Sequence, residues 1–172
     1  MKTRIIGLGN TILRDDGVGV YVAREVARRL AAAGAEDAAD VVESEVAGFA
    51  LLELMSGWDR VILVDSVNFA GVEPGTIMEL RPDDLHTSFR LRSAHEIDLP
   101  TALRLGDALE LPMPEEVKIL AVEAADLCTF GTSVTEPVAR GMEKAVRWVM
   151  SQLLGEPFVL ASAPGIHYNH PG

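Results

Sequence analysis

Arg60-Val61-Ile62-Leu63-Val64-Asp65 is the clearest buried strand of the chain: four apolar residues in succession, three of them β-branched, closed by a carboxylate. A run this short, bounded by polar residues, has the length of a strand and not of a helix. Upstream, residues 4–8 form a second short apolar run that leads into Gly7-Leu8-Gly9. A helix is predicted over 17–33, where Val18, Val22, Val26 and Leu30 recur at spacing four and Gly34 stands just past the end. Residues 40–46 alternate as another strand, and 48–56 read as a short helix. Downstream, 72–80 open on the turn pair Pro74-Gly75 and continue as a short edge strand. Asp98 is expected to cap a helix reaching Leu109, with Pro100 in its first turn. Residues 117–122 form a further buried strand, and 135–154 the last long helix, with Pro137 near its start.

Strands alternating with helices imply a single three-layer α/β/α domain on a mostly parallel, twisted sheet with a short edge strand. The α/β domain is expected over 1–155. Residues 156–172, with their Pro, Ser, Gly and His, read as an extended or mobile C-terminal tail. In such sheets the first and third strands usually lie side by side, and ligands bind beyond the carboxyl ends of the strands. That order brings the loop after Leu8 and the carboxylate of Asp65 to one crevice.

The composition agrees. A chain of 172 residues, 48% hydrophobic and 24% charged, is globular and fits one domain. No apolar run approaches the roughly 20 residues of a membrane helix, and the first residues lack the architecture of a signal peptide. The single cysteine, Cys128, excludes an intrachain disulfide and is expected to be a small buried residue. A cytoplasmic protein without a membrane partner is expected. The net charge of −11 argues against nucleic acid, which calls for clustered Lys and Arg.

Gly7-Leu8-Gly9-Asn10 has the start of a dinucleotide fingerprint, but the third glycine would fall at Ile12. Asp15 and Asp16 then stand where a pyrophosphate would need N–H groups, so nucleotide binding is disfavoured. The two glycines read instead as a tight strand exit. Asp15 and Asp16 immediately precede the first helix, which needs only one N-cap, worth about 1 kcal/mol. The other carboxylate is free for a site. Asp65, closing its strand at the crevice, is too costly to bury without a partner, either turn amides or a cation. His95 lies in the loop Ser93-Ala94-His95-Glu96. Alone it reads as a solvated histidine. With two carboxylates it completes a mixed N/O set suited to a divalent metal such as nickel or zinc, with positions left open for a substrate.

Other chemistries lack their residues. Gly131-Thr132-Ser133-Val134-Thr135 has no second glycine for a nucleophile elbow, and Asp65-Ser66-Val67 is not the D-[ST]-G turn of pepsin-like proteases. His86, His167 and His170 read as surface residues.

Taken together, the stretch from Gly7 to Gly19, the strand ending in Asp65 and the segment Ser93-Ala94-His95-Glu96-Ile97-Asp98-Leu99 resemble the three landmarks of the hydrogenase maturation proteases, in the same order. The resemblance reaches to about residue 154. It implies an endopeptidase that trims the C-terminal extension of a nickel–iron hydrogenase large-subunit precursor after nickel insertion. It also implies that Asp16, Asp65 and His95 recognise the nickel, which the substrate supplies, and leaves Asp15 to structure. One departure is the turn at Glu45-Val46-Ala47-Gly48-Phe49, where the family often carries more glycine and threonine. A non-cleaving metal-binding assembly chaperone would use the same ligands. Peptidyl-tRNA hydrolases share Gly-Leu-Gly-Asn but need an early histidine and a basic groove, and here no histidine precedes His86.

Overall fold

Each strand is a short apolar run whose alternate residues face opposite ways, so a sheet built from them must be covered on both sides. Strands β1 (Thr3–Leu8), β2 (Asp40–Ser44), β3 (Arg60–Val67), β4 (Ile77–Leu80) and β5 (Glu116–Glu123) form one sheet of order β2-β1-β3-β5-β4. β1 is parallel to β2 and to β3, β3 is parallel to β5, and β4 runs antiparallel along the outer edge of β5. The helices are α1 (Val18–Ala32), α2 (Phe49–Met55), α3 (Leu99–Ala108) and α4 (Glu136–Leu154). The computed structural model describes residues 1–45, 49–69, 71–82, 99–155 and 157–158. Among them, no helix is long and apolar enough to cross a membrane.

Two cores result. Ile5, Ile62, Val64, Leu120 and Val122 face α1 and α4, meeting Val22, Val26, Val146 and Trp148. Ile6, Leu63, Val67, Ile119 and Ala121 face α2 and α3, meeting Leu51, Met55, Leu99 and Ala102. The three-layer α/β architecture is as expected, and β1 and β3 are neighbours.

Several boundaries and roles differ from expectation. β3 continues to Val67, so Asp65 lies inside the strand, opposite Ala121, instead of closing it. β5 likewise takes in Glu123. β2 ends at Ser44, and β4 starts only at Ile77. No side chain caps α1, whose N-cap is Gly17. Asp15 and Asp16 instead form a single 3-10 turn before it, and their carboxylates point to other partners. The expected cap Asp98 and the tail residues 156 and 159–172 lie outside the described residues.

Candidate active site

The first helix is pressed against the carboxyl end of the sheet because glycines let it be. A Cβ on Gly19 would strike the carbonyl oxygens of Val64 and Leu8, and one on Gly7 would strike Gly19 and Ala23. Gly9 adopts φ 135°, a conformation other residues rarely take, and its amide donates to Ser44 O at 3.1 Å. The strand therefore turns sharply and delivers the loop over 10–17 to the rim beside β3. This is the tight exit expected of the Gly7–Gly9 pair.

On that rim Ser66 hydrogen-bonds both Asp16 and Asp65. The amide of Ser66 donates to Asp65 Oδ1 at 2.8 Å, and its hydroxyl donates to Asp16 Oδ1 at 3.4 Å. The other oxygen of Asp16 accepts the amide of Asn10 at 3.1 Å. Both carboxylates are half-buried. By strand alternation Asp65 shares the face of Leu63 and Val67, toward α2 and α3. Burial pushes its carboxyl up to about 7; the Ser66 amide opposes this, and the charge of Asp16 adds to it. The amide of the next strand residue, Ser66, and the charge of Asp16 are thus the polar influences on Asp65 among the described residues.

Sequence reasoning missed two participants. Ser66 links the two aspartates, and its position directly after Asp65 was the available signal. Glu123 is 1% exposed at the end of β5, with Oε1 and Oε2 accepting the Phe69 amide at 2.8 and 3.1 Å. It holds the chain just beyond Asp65, and burial raises its carboxyl to about 7 against the opposing Phe69 amide. A carboxylate closing the apolar run Ile119-Leu120-Ala121-Val122 was as visible as the one closing 61–64. Asp15 is fully buried and works structurally, though not as a helix cap. It accepts the amides of Ala125 and Asp126 at 2.9 Å and the amide and hydroxyl of Thr135 at 2.6 and 2.9 Å. Cys128 is exposed, contrary to expectation, because it sits in a turn whose amides at 128 and 129 donate to Asp126 Oδ1.

His95 lies outside the described residues, as do His86, His167, His170 and residues 46–48 of the departing turn. Among the described residues no three His, Cys, Asp or Glu side chains form a metal-sized cluster. A cation held at this rim would take oxygen donors from Asp16 and Asp65.

Both aspartates lie at the carboxyl ends of the parallel strands, the rim where open α/β sheets bind their ligands. The chain belongs to the hydrogenase maturation protease family, whose model matches residues 20–152. It is 29% identical over 161 residues to the hydrogenase expression/formation protein HoxM of Azotobacter vinelandii, covering 92% of this chain and 75% of that one. It is 28% identical over 100 residues to the hydrogenase 2 maturation protease of Escherichia coli, covering 58% and 59% of the two chains. In fold it is similar to the hydrogenase maturating endopeptidase HybD of E. coli, with TM-score 0.72 and 22% identity over 90% of this chain and 93% of that one. The HybD maturation protease of Thermococcus kodakarensis gives TM-score 0.67 and 22% identity, covering 89% and 99%.

Proposed function

We propose that this chain is an endopeptidase that removes the C-terminal extension of a nickel–iron hydrogenase large-subunit precursor once nickel has been inserted. In this reading Asp16, Asp65 and His95 dock onto nickel held by the substrate. The observation that supports it is that Ser66 hydrogen-bonds both Asp16 and Asp65, with Asp65 raised to about 7. Each carboxylate disfavours ionisation of the other, as the charge of Asp16 does in raising Asp65, and a divalent cation bound by both turns the repulsion into attraction. A nickel-bearing precursor therefore binds better than an empty one, and tight metal binding by the free protease is not needed. The imidazole of His95 adds a nitrogen donor that suits nickel.

Docking on the ion fixes the scissile peptide over the crevice. Water then adds to the peptide carbonyl carbon, the C–N bond breaks, and the proton lost by water goes to the departing amine. Either an aspartate with a near-neutral pKa or the substrate's metal activates that water. We assign the peptidase unit to residues 1–155, with 156–172 as a tail, acting in the cytoplasm.

The test is to incubate the protein with nickel-loaded and nickel-free precursor and weigh the products. The extension is expected to leave only the loaded precursor, and Asp16→Asn or Asp65→Asn to slow this by about 100-fold or more. Equal cleavage of both precursors refutes nickel recognition. An unchanged mass for the loaded one refutes the peptidase and leaves a non-cleaving assembly factor.

A further inference from the structure

Two loops at the carboxyl rim of the sheet are tied into a lip. The Arg14 amide donates to Thr129 O at 3.1 Å, the Gly131 amide donates to Ile12 O at 3.0 Å, and Leu13 pairs with Phe130 as an antiparallel bridge. Behind the bridge the buried Asp15 carboxylate grips the amides of Ala125, Asp126 and Thr135. The lip is thus held in place, yet it presents apolar side chains to water: Ile12 is 56% exposed and Phe130 is 78% exposed. The other exposed large hydrophobics among the described residues are Met1, Leu109, Leu111 and Leu154. These precede β1 or follow α3 and reach the end of α4, at the far end of the sheet. Among the described residues, the exposed large apolar side chains at the carboxyl rim are therefore those of the lip.

The lip also shares its loop with Asp16, whose carboxylate accepts the amide of Asn10 two residues before Ile12. A polypeptide held at Asp16 therefore lies against the loop that also carries Ile12, and Phe130 is bridged to that loop through Leu13. Holding a phenylalanine open to water forgoes the gain of burying it, a gain that a partner's apolar side chain recovers. The net charge of −11 disfavours an acidic segment at this surface.

We propose that Ile12 and Phe130 bind an apolar side chain of the polypeptide substrate, in the stretch flanking the cleaved bond. They are specificity-determining residues and take no part in the chemistry. The inference rests on the reading of the chain as a peptidase that acts on a precursor polypeptide.

Binding and cleavage are measured separately. The affinity for nickel-loaded precursor is read by biolayer interferometry and the cleavage by mass spectrometry, for wild type, F130S, I12S/F130S and F130L. In the double variant Kd and KM are expected to rise about tenfold, with kcat and Tm unchanged, and F130L should retain most of the affinity. A Kd within about twofold of wild type in I12S/F130S overturns the proposal. So does a wild-type dimer in analytical ultracentrifugation that the double variant converts to monomer, because the lip is then a contact between two copies of this chain. If wild type binds precursor without cutting it and the double variant binds weakly, the peptidase reading falls and the lip stands. If wild type does not bind precursor at all, both fall.

Discussion

Removing the Asp15 carboxylate leaves four donors unanswered: the amides of Ala125, Asp126 and Thr135 and the hydroxyl of Thr135. Each buried donor left without an acceptor costs on the order of 1–3 kcal/mol, and water reaches some of these once the loop loosens. Asp15→Ala is therefore expected to cost about 3 kcal/mol in urea unfolding, lowering the midpoint at constant slope. Asp16 is half-buried and accepts one amide at 3.1 Å and one distant hydroxyl at 3.4 Å. Asp16→Ala also relieves the charge beside Asp65, so its cost should stay within about 1 kcal/mol. Equal losses in the two variants refute this division of labour. That one of two adjacent aspartates serves structure was legible in the sequence. Its partners were not, because they lie 110, 111 and 120 positions downstream and a local pattern carries no trace of them.

At the level of elements, the start of α1 is decided by contact with the sheet and not by helix propensity. Replacing Gly19 by alanine in an isolated helix gains about 1 kcal/mol. Here the new Cβ meets the carbonyl oxygens of Val64 and Leu8, which are backbone atoms of two paired strands and have no room to retreat. Forcing helix and sheet apart outweighs the propensity gain, so Gly19→Ala is expected to cost about 3 kcal/mol net. It should also reduce cleavage, since the turn carrying Asp16 rides on the same helix end. A variant as stable as wild type in thermal unfolding shows that the helix shifts freely and that the glycine does not set the rim. Apolar periodicity made the elements themselves readable, and the usual strand order of such sheets then placed β1 beside β3. It could not give the direction of β4, which depends on its pairing with β5, nor the two extra residues of β3. Those residues are Ser66 and Val67, and a polar residue followed by one valine looks like the end of a strand until β5 is seen pairing with both.

For the whole molecule, the two carboxyls raised to about 7 set a pH dependence opposite to that of an ordinary salt-bridged aspartate. Asp65 starts from 3.8 and Glu123 from 4.5 in the unfolded chain, and burial raises both to about 7 in the fold. Below about pH 4 both states are protonated, and neither group changes the balance. Between the unfolded and folded values the native state holds more protons than the unfolded one. Stability therefore falls as pH rises through this window, and it levels off above about pH 7 at the lower value. With no divalent cation present, Tm near pH 8 is expected to lie roughly 5 °C below Tm near pH 5. The net charge of −11 at pH 7 produces a trend of the same sign through self-repulsion, so the two causes must be separated. Salt does this, because at about 0.5 M the screening length falls to roughly 4 Å and quenches repulsion across the surface while leaving local desolvation in place. In high salt the slope should persist in wild type and flatten in the double variant Asp65→Asn, Glu123→Gln, where neither group titrates. A slope that vanishes with salt in the wild type assigns it to overall charge. A slope that survives in the double variant assigns it to other groups, and either result removes burial of these two carboxyls as its cause.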